Sequence, residues 1–356
     1  MVGKARAAIG IALVMFAATP VRAQPEIAAE LDLTSGYSGE EVRAAASQLR
    51  LFGEGPAGVE FFAEAAWGDR WAGDAPIVGD LLSGVDPMGS DVFGAAYPYN
   101  GGVRLIELYA ERYFRPRGAM LGVRGGRFRM PFGIHTRSDH GYSGFLRPPL
   151  IRYDGYFGVS NNWLEDGAMI TAGVPHLFVE ASVSRPHDVG FAIRRKGVDA
   201  SIRAQGYRGQ FVVGASYARS NPYLSPRFAV GRQAFSGADV RWAHPSGLQA
   251  RGEFLKGHSY EGVSTIGWYV DAIVHRPGMG PFTAVVRGEL LDYDAAPPRA
   301  RSARRLTLGT RVRLPGPVTL QLNYLRQRGD LPRIKSHSID FAATYSFRVD
   351  QLFVRH

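Results

Sequence analysis

The chain has 356 residues, 42 Lys plus Arg against 32 Asp plus Glu, a formal charge of +10, and no cysteine. Disulfides, thiolate metal sites and lipid attachment to a processed N-terminal cysteine are therefore excluded. A basic surplus suits nucleic acid in a cytosolic protein, but an export signal (below) points it to lipopolysaccharide phosphates or anionic solutes, not nucleic acid.

The chain opens with Lys4 and Arg6, an apolar run from Ala7 to Ala18, and Val21-Arg22-Ala23 before Gln24. A positive start, a short apolar stretch and a small-x-small site are the marks of a secretory signal peptide. Residues 1–23 are read as that signal and 24–356 as one domain. No linker or composition shift divides the remainder, and no later apolar run has the length of a transmembrane helix.

From about residue 29 onward, stretches of about ten residues alternate apolar and polar side chains, which puts an oily and a polar face on each strand. The pattern predicts strands near 42–52, 59–69, 103–114, 120–133, 162–173, 177–185, 197–207 and 210–220. It continues with 235–245, 248–258, 264–275, 282–293, 304–314, 318–328 and 337–348. Short Gly- and Pro-containing turns such as 53–58, 115–118, 208–209, 245–247 and 276–280 alternate with long connections such as 70–102, 134–161, 186–196, 221–234 and 294–303. Tilted strands of this length cross a bilayer, and outer-membrane barrels place short turns in the periplasm and long loops outside. Parity then requires one more strand before residue 42, which Ala29–Thr34 supplies. The expected fold is an all-β, transmembrane antiparallel barrel of about 16 strands, wide enough for an aqueous channel. A β-sandwich or soluble barrel of the same strands is the alternative.

In a membrane barrel the oily face points to lipid and the lumen receives the charges. Ile266, Trp268, Val270, Ala272 and Val274 are then outward, and Tyr269 and Asp271 inward. The expected inward acids are Glu107, Glu111, Glu180, Asp199, Asp239, Glu253, Asp271, Glu289 and Asp340. The expected inward bases are Arg127, Arg129, Arg203, Arg241, Arg251, Arg287 and Arg311. Such mixed signs either pair across neighbouring strands or guide solutes. Trp67, Trp71, Tyr113, Phe114 and Phe132 fall near strand ends, as interfacial girdles do.

The segment Gly126-Arg127-Phe128-Arg129-Met130-Pro131-Phe132-Gly133 resembles a Gly-x-Phe-x-x-Pro-Phe-Gly pattern of the phosphate-selective porins of Gram-negative outer membranes. The Leu51–Pro56 hairpin and the strand 318–328 with Leu322-Asn323-Tyr324 are similar to that family too. The resemblance implies a sixteen-stranded, usually homotrimeric diffusion channel. Lys196, Lys256 and Lys335 do not cluster into that family's basic constriction, and Phe347 is followed by nine more residues instead of ending the chain.

The connection 134–161 is the leading functional candidate. It carries His135, Arg137, His140, Arg147, Arg152 and Asp154 among Tyr142, Phe145, Pro148, Pro149, Tyr153, Tyr156 and Phe157. So many aromatics suit a loop packed on something, with the barrel mouth nearest. An inward loop narrows a channel, whereas an outward one would pack on the rim or a subunit interface. With Arg127, Arg129, Glu107 and Glu111 on the wall, it forms the expected constriction, and Arg137, Arg147 and Arg152 against Asp139 and Asp154 suggest weak anion preference.

No Gly-x-Ser-x-Gly, His-Glu-x-x-His or glycine-rich phosphate loop occurs, so neither enzyme activity, metal nor cofactor is expected. The reading is a porin-like channel of the cell outer membrane for small hydrophilic solutes. The alternatives are a closed structural or adhesion barrel, and a barrel hydrolase built on His135, Asp139 and His140.

Overall fold

In the computed structural model the described residues are 26–38, 42–72, 103–134, 144–152, 164–186, 194–195, 197–220, 223–225, 228–229, 233–258, 264–275, 277–294, 301–329 and 336–350. The proposed signal peptide lies outside them.

Sixteen strands close into one antiparallel barrel. The first half is built from β1 (Glu26–Ser38), β2 (Val42–Gly55), β3 (Val59–Ala72), β4 (Val103–Phe114), β5 (Met120–Arg129), β6 (Leu164–Val174) and β7 (Leu177–Pro186). After the two-residue β8 (Arg194–Arg195) the wall continues with β9 (Asp199–Arg208) and β10 (Phe211–Ser220). Two more short pieces follow, β11 (Tyr223–Ser225) and β12 (Phe228–Ala229). The remaining wall strands are β13 (Gln233–Ala243), β14 (Leu248–His258), β15 (Ser264–Val274), β16 (Phe282–Asp294), β17 (Arg301–Arg313), β18 (Val318–Gly329) and β19 (His337–Val349). Each wall strand pairs with its neighbours in sequence, and β1 pairs with β19 to close the ring, with Leu33 opposite Tyr345. The strand predicted from Ala29–Thr34 is therefore the one that completes the barrel.

The strand expected over 120–133 stops at Arg129. Pro131 has no N–H to give a ladder, and Gly133 sits at φ 59, which turns the chain away. β8, β11 and β12 form a small three-stranded sheet between long connections that alternation did not reveal. Strands this short carry too few residues for a period-two signal to register.

The outer face is apolar. Ile170, Val183, Val213, Val270 and Ile339 are each more than half exposed, and Trp268, Phe254 and Leu322 stand among them. The charged side chains of the same strands are buried inside: Glu180, Asp199, Arg203, Asp239, Asp271, Arg287 and Asp340 are each less than a tenth exposed. A water-soluble barrel would reverse the two faces, so this one spans a bilayer. Short turns lie at one end, which by the outer-membrane rule is periplasmic, and the long connections lie at the other.

Depth along an outward strand sets the cost of a charge. Val270→Arg, at the middle of β15, should cost about 2–4 kcal/mol, and Phe282→Arg, at the turn end of β16, about 0–1 kcal/mol. Urea midpoints for loss of the folded, heat-modifiable gel band in lipid vesicles measure both.

Candidate functional site

The barrel is not an empty tube. Beyond β5 the chain bends inward and Met130 and Phe132 become completely buried. The described part of the following connection, residues 144–152, is also buried, ending in a single 3-10 turn at Leu150–Arg152. Met130, Phe132, Leu150 and Ile151 form one apolar cluster with Ala218, Phe235, Leu255, Tyr269, Leu291 and Ala303 from the inner wall. A smaller cluster joins Phe145 to Ile273 and Val285. Two wall glycines make room: a Cβ at Gly237 would overlap the Phe132 ring, and one at Gly267 would overlap Ile151.

Polar anchors fix the segment along this wall. Arg147 donates from Nε to Asp340 Oδ2 (2.6 Å) and from Nη2 to Oδ1 (2.9 Å), a two-point grip on β19. Arg152 pairs with Glu253 of β14 and donates to the Phe132 carbonyl (3.0 Å). Asn323 of β18 accepts from the Leu146 amide (2.7 Å) and donates to the Gly144 carbonyl (3.0 Å). Arg287 donates to the Arg147 carbonyl (3.0 Å), its guanidinium 3.8 Å from the centre of the Phe145 ring, and Arg305 donates to the Pro148 carbonyl. The arginines on the wall are themselves held by carboxylates, Arg287 by Asp271 (3.0 Å) and Arg305 by Glu289. A segment without strand partners thus has its backbone carbonyls satisfied by side chains from the barrel.

The opposite wall, β1 to β6, faces a cavity of about 530 Å³. Its inner surface is tiered. Arg50, Glu64 and Glu107 stand side by side in one row across β2, β3 and β4. One step toward the turns come Phe52, Phe62 and Tyr109, and one step further Glu54, Glu60 and Glu111. A β-bulge in β4 sets this register: Glu64 faces Glu107 while the next residue, Ala65, faces Leu105. Ile106 is the extra residue and is wholly buried. Arg129 bridges Glu64 (2.6 Å) and Glu107, Arg50 reaches Glu30 (3.2 Å) and Asp32 (3.1 Å), and Arg124 binds Glu111 (2.7 Å).

Glu107, Glu111 and Arg129 therefore line the cavity. Arg127 does not. It sits opposite outward Leu108, and its guanidinium pairs with exposed Asp166 (2.8 Å) on the outer face. Placing Arg127 and Arg129 both inward requires Phe128 to face lipid, since successive side chains of a strand alternate. It is instead buried inside, with Glu165 opposite it on the inner wall of β6. Arg129 reaches the lumen because regular pairing ends at that residue. Arg147 and Arg152 are brought together as anchors, each engaged by a carboxylate. His135, Arg137, His140 and Asp139 lie outside the described residues. Phe132 and Tyr113 are not girdle residues: the first is buried under the inward segment, and the second donates to Glu111 (3.0 Å). Sequence reasoning missed Arg50, Glu64 and Arg124. Gln48 and Arg50 alternate with Leu49 and Leu51, a pattern that could have revealed at least Arg50.

No protein-family model matches this chain, and no curated protein does. Among solved structures it is similar to OmpF of Salmonella typhi, with TM-score 0.64 and 10% identity over 91% of this chain and 97% of that one. It is similar to the outer-membrane channel DcaP of Acinetobacter baumannii, with TM-score 0.60 and 11% identity over 93% of this chain and all of that one. The anion-selective porin of Comamonas acidovorans aligns with TM-score 0.57 and 10% identity, over 91% and 99% of the two chains. At these identities the likeness is one of fold: the chain has the fold of the outer-membrane porins.

Gly133 is the hinge of the inward turn. Its φ of 59 is strained for any other residue, and a Cβ there would overlap both Glu253 and Arg152. Gly133→Ala should push the pair apart and loosen the segment while leaving the strands intact. Proteolysis within 135–161 of the folded protein should become at least about tenfold faster, as expected when local opening becomes easier by about 1.4 kcal/mol.

Proposed function

We propose that this protein is a passive diffusion channel of the outer membrane for small hydrophilic solutes. The observation that carries this reading is the division of the lumen. One wall is occupied by the anchored segment, while the other faces a cavity lined by charged and aromatic side chains. A pocketed lumen with a fixed inward segment sets a narrow path whose lining charges act on passing ions. The porin fold supports the same reading, and that of a homotrimer in lipid and lipopolysaccharide.

The expectation of weak anion preference rests on Arg137, Arg147 and Arg152. Arg147 and Arg152 are each matched by a buried carboxylate, so they contribute little free positive charge. Phosphate selectivity of the kind implied by the resembled family would need a basic lining. The cavity instead carries eight carboxylates, Glu54, Glu60 and Glu111 among them, with three arginines. We therefore favour a general channel over a phosphate-specific one.

Planar-bilayer recording tests this. The purified protein should give discrete conductance steps. Releasing the segment with Arg147→Ala plus Arg152→Ala should raise the step size by about half or more, since path area governs flow. Heat-modifiable mobility shows that the barrel remains closed. A folded, inserted protein without conductance would establish the closed structural barrel instead.

A further inference from the structure

The cavity wall has a feature that simple diffusion does not need. Phe52, Phe62 and Tyr109 form a row on the water-facing side of the barrel, with ring centres 5.1 Å and 5.3 Å apart. Phe52 is two residues from inward Arg50 and is 40% exposed, so its ring meets the lumen and not lipid. Directly beside this row, toward the turns, Glu54 stands opposite Glu60 and Glu60 opposite Glu111. Like charges directly opposite one another on a sheet repel. The nearby bases do not cancel them: Arg124 is engaged with Glu111, Arg129 with Glu64 and Glu107, and Arg50 with Glu30 and Asp32. Arg115 lies in the exposed turn after β4. Among the described residues, neither Glu54 nor Glu60 makes an ion pair.

We infer that this wall is a binding subsite for small organic cations that carry a flat apolar ring, such as arylalkylammonium ions. The ring would pack against Phe52 and Phe62 in the offset or edge-to-face arrangement that aromatic pairs favour. The ammonium group would sit between Glu54 and Glu60 and relieve their repulsion. Anions of the same shape are repelled by the carboxylates, and cations without a ring lose the aromatic contact. Both rows lie toward the turn end of the anchored Arg50–Glu64–Glu107 tier, so the occupant would sit on the periplasmic side. The inference rests on the channel reading above only for a lumen that solutes can enter from the turn side.

Binding and block can be measured separately. Equilibrium dialysis of the full-length protein in micelles, against empty micelles, gives affinities for phenethylammonium, phenylacetate and propylammonium. Phenethylammonium should bind at least about fivefold more tightly than either control, the factor expected of one aromatic pair worth about 1 kcal/mol. Phe52→Leu with Phe62→Leu should remove the advantage over propylammonium and leave propylammonium binding unchanged. Glu54→Gln with Glu60→Gln should remove the advantage over phenylacetate. In bilayers, phenethylammonium added from the turn side should block current at the dialysis affinity. Equal affinities for the three probes in a conducting protein would overturn the subsite alone. Selective binding by a non-conducting protein would overturn the channel reading and leave the subsite standing. Heat-modifiable mobility confirms that each variant is folded, and both pairs of substitutions sit on the water-facing wall, where truncation leaves no void in the lipid-facing packing.

Discussion

A bilayer core offers no hydrogen bonds, so every backbone N–H and C=O that enters it must find a partner within the protein. For strands this demands a ring without edges, and everything else in this molecule follows from the seam between β1 and β19. That seam pairs residues at opposite ends of the chain, Ala29 with Val349 through Tyr37 with Phe341. Closure at sixteen strands leaves an interior too wide for wall side chains alone to fill. The inward segment, the buried ion pairs and the cavity are different ways of occupying that space.

The interior resolves into two unlike halves. Along β10 and β13 to β19, apolar residues such as Phe235, Leu255, Leu291 and Ala303 face inward and meet Phe132, Leu150 and Ile151. This is an ordinary hydrophobic contact transplanted into a lumen, with burial worth about 25 cal/mol per Å². Buried arginine–carboxylate pairs give it register more than stability, because desolvation offsets much of the attraction. Arg287 illustrates this: it binds Asp271, donates to the Arg147 carbonyl and covers the Phe145 ring at once. β1 to β6 instead border the cavity, where the inward side chains stand in successive rows: an arginine with two carboxylates, then aromatic rings, then carboxylates alone. The β4 bulge keeps those tiers in register, since without the extra Ile106 the residues of β4 beyond it would swap faces.

Much of the architecture was legible in the chain. Period-two alternation located the wall strands, turn chemistry set their ends, and parity demanded the strand that became β1. Strand ends were less legible where local residues break the ladder, as at Pro131 and Gly133. The faces of β5 were misassigned at Arg127, because the rule that apolar means lipid-facing fails wherever an inward segment creates a second hydrophobic interior. Phe128 and Met130 obey that second interior, and nothing within β5 itself announces it.

By itself, the sequence determined the strand count, the direction of each strand and the apolar exterior, because these depend on period, turn residues and parity within short stretches. Through its density of aromatic residues it also marked 134–161 as a connection that packs on something, and the described part, residues 144–152, is buried. Only the tertiary structure decided which wall the segment covers, which arginines are engaged as anchors, and which carboxylates are left facing water. Those outcomes rest on pairings between residues far apart in the chain, such as Arg147 with Asp340 and Arg152 with Glu253. Cross-strand register creates them, and register is set by the closure of the whole ring.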